Sequence, residues 1–373
     1  MTAAFADNST DYRDVIRNVS TDANVSPDSV ARIIDHLLGA RADENNRRTV
    51  PSYAEIVDSS VRELRKRRTQ FLCDIACDFV PPGFPSHVQI QTVAGCNASC
   101  IMCAMSSPSV RRIQKGVLDQ RLFEALVTEC AVNAECEEIS LYLQNEPLLD
   151  RELAQKIKLV KELSKKRLRV RIVTNGSLLN ESRAVDLFEA GIDSIGVSIN
   201  AFTPQTYSRI MRGLDYSVTL RNVETLISLA PESVLISLTF VVVRGNESEV
   251  REAVKYWTDR GVLCGAYGVN SQGGAVDGFQ NLRPLNSPRR AKECYLPLES
   301  IGILANGDFI LCCADWKRES LHRTESSPRM ISDVWHSPKV AAFRRDAIQG
   351  TFAHPMCRNC LGQTRVRENL LYS

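Results

Sequence analysis

From residue 87 onward the apolar and polar positions fall into a repeating order. His87-Val88-Gln89-Ile90-Gln91-Thr92-Val93 alternates with period two, which predicts a strand. Amphipathic helical patterns and apolar runs then take turns: helix near 118–130, strand near 138–144, helix near 151–165, strand 168–174, helix 181–190, strand 193–199. The series continues with helix 217–229, strand 233–243, helix 247–260 and strand 262–269. Six strands, each followed by a crossover, demand a parallel sheet with helices outside, and ligand sites then sit at the strands' carboxyl ends. The expected class is α/β.

Outside the repeat the pattern changes. Residues 1 to about 25 are polar with no apolar period and read as disordered. Ser26-Pro27-Asp28 opens a helix with Val30, Ile33, Ile34, Leu37 and Leu38 on one face. The capping box Ser52-Tyr53-Ala54-Glu55 opens a second, longer one, and its basic run from Arg62 to Arg68 reads as a solvated face. Pro81-Pro82-Gly83-Phe84-Pro85 ends this extension. Near the other end, Ser300–Leu304 and Phe309–Leu311 alternate around Asn306-Gly307, the pair that a type I′ hairpin turn favours, and a helix follows Pro338. The expected organisation is a helical extension at 1–85, the α/β repeat at 86–285 and a small C-terminal domain at 286–373.

Charge and composition narrow the partners. The 373 residues include 46 Lys and Arg against 44 Asp and Glu, which gives no reason to expect nucleic acid or a membrane surface. The first residues show no basic segment leading into an apolar run, and no apolar stretch is long enough to cross a bilayer, so a cytoplasmic protein is expected. The 13 cysteines then point to reduced thiols and to metal or Fe-S binding. Cys96, Cys100 and Cys103, at spacings x3 and x2, follow the first strand directly; three thiolates could hold a [4Fe-4S] cluster with one iron open, whereas tetrahedral zinc would need a fourth ligand nearby. Cys294-x12-Gly307-x4-Cys312 and Cys357-x2-Cys360 form a second set, which by spacing alone suits a fully ligated [4Fe-4S] cluster or a structural zinc. Cys313 is read as a bystander able to substitute, Cys264 as a core residue, and Cys130 and Cys136 as flanking a helix-strand turn. Cys73 and Cys77, four apart on a predicted helix, read as buried thiols.

The Cys-x3-Cys-x2-Cys loop directly after a first strand resembles the radical SAM superfamily, with Met102 where many members carry an aromatic residue. Leu143-Gln144-Asn145-Glu146-Pro147 is similar to that family's second-strand motif, with Glu146 and Pro147 matching and Gln144 and Asn145 in place of glycines. Val173-Thr174-Asn175-Gly176, Val197-Ser198-Ile199-Asn200, Thr206-Tyr207 and Arg212-Gly213 follow in the family's order. The resemblance implies a partial (β/α)6 barrel, a cluster on Cys96, Cys100 and Cys103, and S-adenosylmethionine held by Gln144, Asn145, Glu146, Asn175, Ser198 and Asn200. Arg244, closing the fifth strand, is expected at the barrel mouth, on the cofactor carboxylate or the substrate, with a surface pair to Glu247 as the alternative. Gly265–Gly268 and the loop Gln272-Gly273-Gly274-Ala275 are expected to shape the substrate pocket or to bridge to the last domain.

The C-terminal cysteines resemble the twitch form of the SPASM extension, which implies a second, auxiliary [4Fe-4S] cluster on Cys294, Cys312, Cys357 and Cys360. Their order is most similar to the radical SAM dehydrogenases of aminocyclitol and aminoglycoside antibiotic biosynthesis. That likeness implies oxidation of a carbinol to a ketone on a small-molecule substrate, with an external donor such as flavodoxin or ferredoxin. A maturase of ribosomally made peptides is the alternative. A non-enzymatic Fe-S or zinc scaffold fits poorly with cofactor motifs on successive strands.

Overall fold

Six strands stand where the alternation places them: β1 (His87–Ile90), β2 (Glu138–Ser140), β3 (Arg169–Thr174), β4 (Ser194–Ser198), β5 (Leu235–Val242) and β6 (Leu263–Gly268). The computed structural model describes residues 83–284, 294, 296–320 and 330–360; the expected disordered start, both N-terminal helices, Cys73 and Cys77 lie outside them. The six strands are parallel neighbours in the order β6-β5-β4-β3-β2-β1. Helices α1 (Gln120–Val132), α2 (Leu153–Leu163), α3 (Glu181–Glu189), α4 (Tyr216–Leu229) and α5 (Glu247–Thr258) connect them. Side chains cap several of these starts, Asp119 accepting from Leu122 N, Asn180 from Arg183 N and Asp215 from Val218 N. On α1, Phe123, Leu126, Val127 and Cys130 recur at helical spacing and are fully buried.

The strand alternation divides the sheet into two unlike faces. Val88, Ile90, Ile139, Val170, Ile172, Ile195, Val197, Leu238 and Phe240 are all 0% exposed, as positions under the helices should be. The intervening positions are mostly polar, His87, Gln89, Glu138, Ser140, Arg169, Arg171, Ser194, Ser198, Ser237 and Thr239 against Val173, Gly196, Leu235 and Val241, and the register sets Gln89, Ser140, Arg171 and Ser194 side by side. A face this polar, turned away from the helices, is the lining of a half-barrel lumen rather than a second apolar core. β1 and β2 end earlier than the sequence suggests because their extensions bond to loops: Thr92 O accepts from Leu118 N, and Leu143 N donates to Asn145 Oδ1.

Past residue 294 the chain returns to the same sheet. β7 (Ser300–Ile303) pairs parallel with β1, His87 opposite Ser300, and β8 (Phe309–Ile310) pairs antiparallel with β7, giving eight strands. The expected boundary near 286 is therefore no break in the sheet. The hairpin turn is also not type I′, which needs positive φ at both central residues. Gly307 alone is left-handed (φ 85°), its N–H donates to Leu304 O at 2.8 Å and Leu304 N donates to Asp308 O at 2.8 Å, the pattern of a type I turn with a bulge. Beyond it, Ile331–Trp335 is fastened to α1 through Glu129, which accepts from Ile331 N (2.7 Å) and Ser332 N (2.9 Å), and helix α6 (Pro338–Ile348) begins on the Ser337 cap. Among the described residues no helix is long and apolar enough to cross a membrane.

Candidate active site

The loop after β1 presents Cys96, Cys100 and Cys103 at the strand's carboxyl end. Its backbone is locked to the segment after the short helix Pro204–Ile210, Ser99 N donating to Arg212 O (2.8 Å) and Ile101 N to Ile210 O (3.0 Å). Arg111 holds the other side, donating to Ala98 O and Ser99 Oγ, both at 2.6 Å. Backbone donors already face two of the sulfurs: Ala98 N lies 3.4 Å from Cys96 Sγ and Met105 N 3.4 Å from Cys103 Sγ. Met211 Sδ lies 3.4 Å from Cys100 Sγ. Burial pushes the Cys96 and Cys100 thiols up and the Cys103 thiol to about 11, so ligation of iron must displace protons. Three neighbouring soft sulfurs with amide dipoles aimed at them are a donor set that fits an iron-sulfur cluster.

The residues expected to hold S-adenosylmethionine divide into groups. Glu146 is 2% exposed and its carboxylate is occupied within the protein, accepting from Thr174 Oγ1 (2.6 Å), Leu148 N (3.1 Å) and Asn175 N (2.8 Å). It clamps the end of β2 to the end of β3, and burial raises its pKa. Asn145 accepts from Leu143 N through Oδ1, which fixes its amide orientation and leaves Nδ2 buried with no partner among the described residues, a donor of the kind a bound carboxylate would satisfy. Asn175 Nδ2 donates to Asn97 Oδ1 (2.9 Å) and lies 3.9 Å from Cys96 Sγ. Asn200, left-handed at φ 62°, accepts from Val241 N (2.7 Å) and points Nδ2 at Met211 Sδ (3.1 Å), so it reaches the cysteine loop from the other side. Ser198 Oγ meets Thr239 Oγ1 at 3.0 Å.

Two expected residues sit elsewhere. Gln144 turns to the C-terminal segment: Nε2 donates to Cys313 O (2.9 Å), and Oε1 accepts from Arg318 Nη1 (2.6 Å) and Gln114 Nε2 (3.4 Å). It is thus a tie between β2 and the second cysteine set, beside a cavity of about 520 Å³ that Gln114, Lys115, Lys317 and Arg318 help to line. Arg244 is exposed and donates to Arg283 O from Nε (3.3 Å) and Nη2 (3.1 Å). Since its turn carries it past the end of β5, the expected catalytic position is corrected to a surface tie; Glu247 accepts from Gly245 N instead.

Cys294 lies in the electrostatic field of Cys360 and Cys313, and Cys312 in that of Cys294 and Cys313. Cys357 precedes Cys360 by one short turn, Cys360 N donating to Cys357 O. Cys312 Sγ also accepts an amide, from Ala314 N at 3.4 Å. Among the described residues no three His, Cys, Asp or Glu side chains converge as closely as one metal ion requires, zinc included. The loop after β6 fastens the two sets together. Gln272, Gly273 and Gly274 are successively left-handed (φ 49°, 66° and 81°). Gln272 Oε1 accepts from Ala104 N, next to Cys103, at 2.8 Å, and Ser271 Oγ donates to Asn359 O, next to Cys360, at 2.7 Å. Of the two expected uses of this loop, the geometry bears out the bridge. Met211 and Arg318 carried no sequence signal, because each acts on a partner far along the chain, and Arg111, which acts on Ala98 and Ser99 within its own loop, carried none because no motif marks it.

A thiol triad at the strand ends of a parallel half-barrel, strapped to a second cysteine set, defines an iron-sulfur barrel enzyme. Residues 90–256 match the Radical SAM superfamily and residues 294–361 the SPASM iron-sulfur cluster-binding domain. The chain belongs to the radical SAM superfamily and carries a SPASM-type domain, so S-adenosylmethionine and [4Fe-4S] clusters are its cofactors. It is 22% identical over 276 residues to the S-adenosyl-L-methionine-dependent 2-deoxy-scyllo-inosamine dehydrogenase of Niallia circulans, covering 74% of this chain and 92% of that one. It is 28% identical over 217 residues to the GTP 3′,8-cyclase of Limosilactobacillus fermentum, covering 58% and 60%. The chain spans 39% and 60% of the first two curated relatives it matches. The crystal structure of BtrN in complex with AdoMet and 2-DOIA shares the fold, with a TM-score of 0.52 at 20% identity over 74% of this chain and 92% of that one.

Anaerobic reconstitution is expected to give about eight irons per chain, falling to about four when Cys357 and Cys360 are replaced by alanine. A parent value near four, unchanged in the variant, would remove the auxiliary cluster.

Proposed function

We propose that the chain oxidises a carbinol of a small polar intermediate, a sugar or aminocyclitol of antibiotic biosynthesis, to a ketone. The observation that carries this reading is the polar lumen, His87 to Thr239, lying under two cysteine sets that one loop straps together. The relative named as a 2-deoxy-scyllo-inosamine dehydrogenase supports it, being matched over most of its length. When bound, S-adenosylmethionine and its cluster would supply radical hydrogen abstraction and the auxiliary cluster an acceptor for the one remaining electron, the hydroxyl proton going to a base. In this reading Cys96, Cys100 and Cys103 ligate the first cluster, and Cys294, Cys312, Cys357 and Cys360 the second. Asn145 Nδ2 and Ser198 meet S-adenosylmethionine. Glu146, Asn175 and Asn200 hold the strand ends and the cysteine loop in place around it. Reducing power comes in the cytoplasm from a flavodoxin or ferredoxin.

The test is isotopic. Given reductant and a panel of sugars and aminocyclitols, with and without a carboxylate or phosphate arm, each deuterated at its carbinol carbons, the holoenzyme is expected to pass deuterium from at least one of them into 5′-deoxyadenosine and to form one ketone for each. Turnover that responds to GTP or to a precursor peptide, and to no hydroxylated cyclitol or sugar, would replace this reading with a cyclase or a peptide maturase.

A further inference from the structure

We infer that the lumen holds its substrate by an oxyanion, a carboxylate or a phosphate, on Arg171; the inference rests on the small-molecule reading above. Arg171 stands in the middle of β3 on the face turned from the helices, between Ser140 of β2 and Ser194 of β4. Its Nε is buried and has no hydrogen-bond partner among the described residues. The carboxylate on the next strand is engaged elsewhere: Glu138 lies 3.5 Å from Arg169 and 3.5 Å from His87. His87 in turn meets Ser140 Oγ at 2.7 Å, and burial holds its pKa below the usual range, so it adds no competing cation at neutral pH.

Arg171 is half-buried, but a guanidinium nitrogen withdrawn from water without an acceptor is costly, and the cost is relieved when a ligand brings the negative charge. Its planar fork matches a carboxylate or a phosphate with two parallel hydrogen bonds. Arg318, which helps to line the cavity beside Gln144, already donates to Gln144, and Lys115 and Lys317, which line it too, are exposed, so Arg171 is the better anion receptor. Its depth also suits the chemistry. Thr174 ends β3 and Asn175 reaches the Cys96 sulfur, which places Arg171 about 10 Å below the cysteine loop at the rise of a strand. That gap is the length of a small ring with one anionic arm.

The probes are inorganic phosphate and acetate, titrated calorimetrically into the holoenzyme with S-adenosylmethionine present. At least one is expected to bind saturably, the tighter of the two naming the substrate's group, and Arg171→Gln is expected to weaken it roughly tenfold or more, with Arg171→Lys in between. Neither probe binding the parent, or equal binding by Arg171→Gln, overturns the assignment. If Arg171→Gln fails to load iron, the parent decides: phosphate should slow phenylglyoxal modification of the peptide containing Arg171, and an unslowed reaction overturns the site. Phosphate held at Arg171 by an enzyme that passes no deuterium to 5′-deoxyadenosine would sink the alcohol oxidation and keep the anion site.

Discussion

Cys100→Ala is expected to lower 5′-deoxyadenosine formation to about 1% of the parent or less, because a cluster with two protein thiolates no longer presents one open iron in a fixed place. The loop gives it no way to adapt. The amides on either side of Cys100, those of Ser99 and Ile101, are pinned to Arg212 O and Ile210 O, and Met211 Sδ packs on the sulfur. The two remaining thiols, Cys96 and Cys103, are each held by a backbone amide of their own turn. Chromatography of the anaerobic reaction measures the product, and iron analysis should still find about four atoms in the second cluster. Persistence of the product would remove these cysteines from the radical site.

The second large effect is expected at Gly273. A Cβ there would lie 2.9 Å from Ala314 O and 2.8 Å from Met356 Cγ, with φ at 66°. Gly273→Ala adds left-handed strain to overlap with a backbone carbonyl that cannot rotate away, about 2–4 kcal/mol together. The overlap falls on the segments that carry Cys312 and Cys357, so iron is expected to drop from about eight toward about four, and the thermal midpoint with it. Gly278→Ala is the control: it shares the positive φ (65°) but meets only Asn281 Nδ2 at 3.9 Å, and should cost about 1–2 kcal/mol with both clusters kept. Equal loss of iron in the two variants would show that the strap does not hold the second site.

Much of this was legible along the chain, for reasons that differ by residue. The strands were readable because Val88, Ile90, Val170 and Ile172 must face helices while their neighbours need not, a period no loop imitates. The cysteine sets were readable from spacing, since ligands to one cluster must come from short turns. The side-chain role of Gln144 was not readable, because a motif position fixes where a backbone runs and not where a long amide reaches, and its partners Cys313 and Arg318 are far off in sequence. Arg244 was misplaced for a similar reason: the end of a strand was visible, but not the turn that carries the side chain outward. Asn306-Gly307 marked a hairpin correctly yet not its type, because the bulge depends on how β8 meets β7. Arg171 was visible as a polar residue in an alternating strand; that its Nε finds no acceptor among the described residues belongs to the tertiary arrangement alone.

The pairing of β7 with β1 has a consequence for how the molecule comes into being. His87 and Ser300 are partners across more than two hundred residues, and contacts of such long range close late and slowly. On the ribosome, one edge of β1 stays open while all of β2 to β6 is synthesised, offering unpaired amides and carbonyls to any passing chain. The segment bearing the last cysteines is thus also the piece that seals the nascent sheet. Assembly of metal sites and protection from aggregation are bound to the same late event.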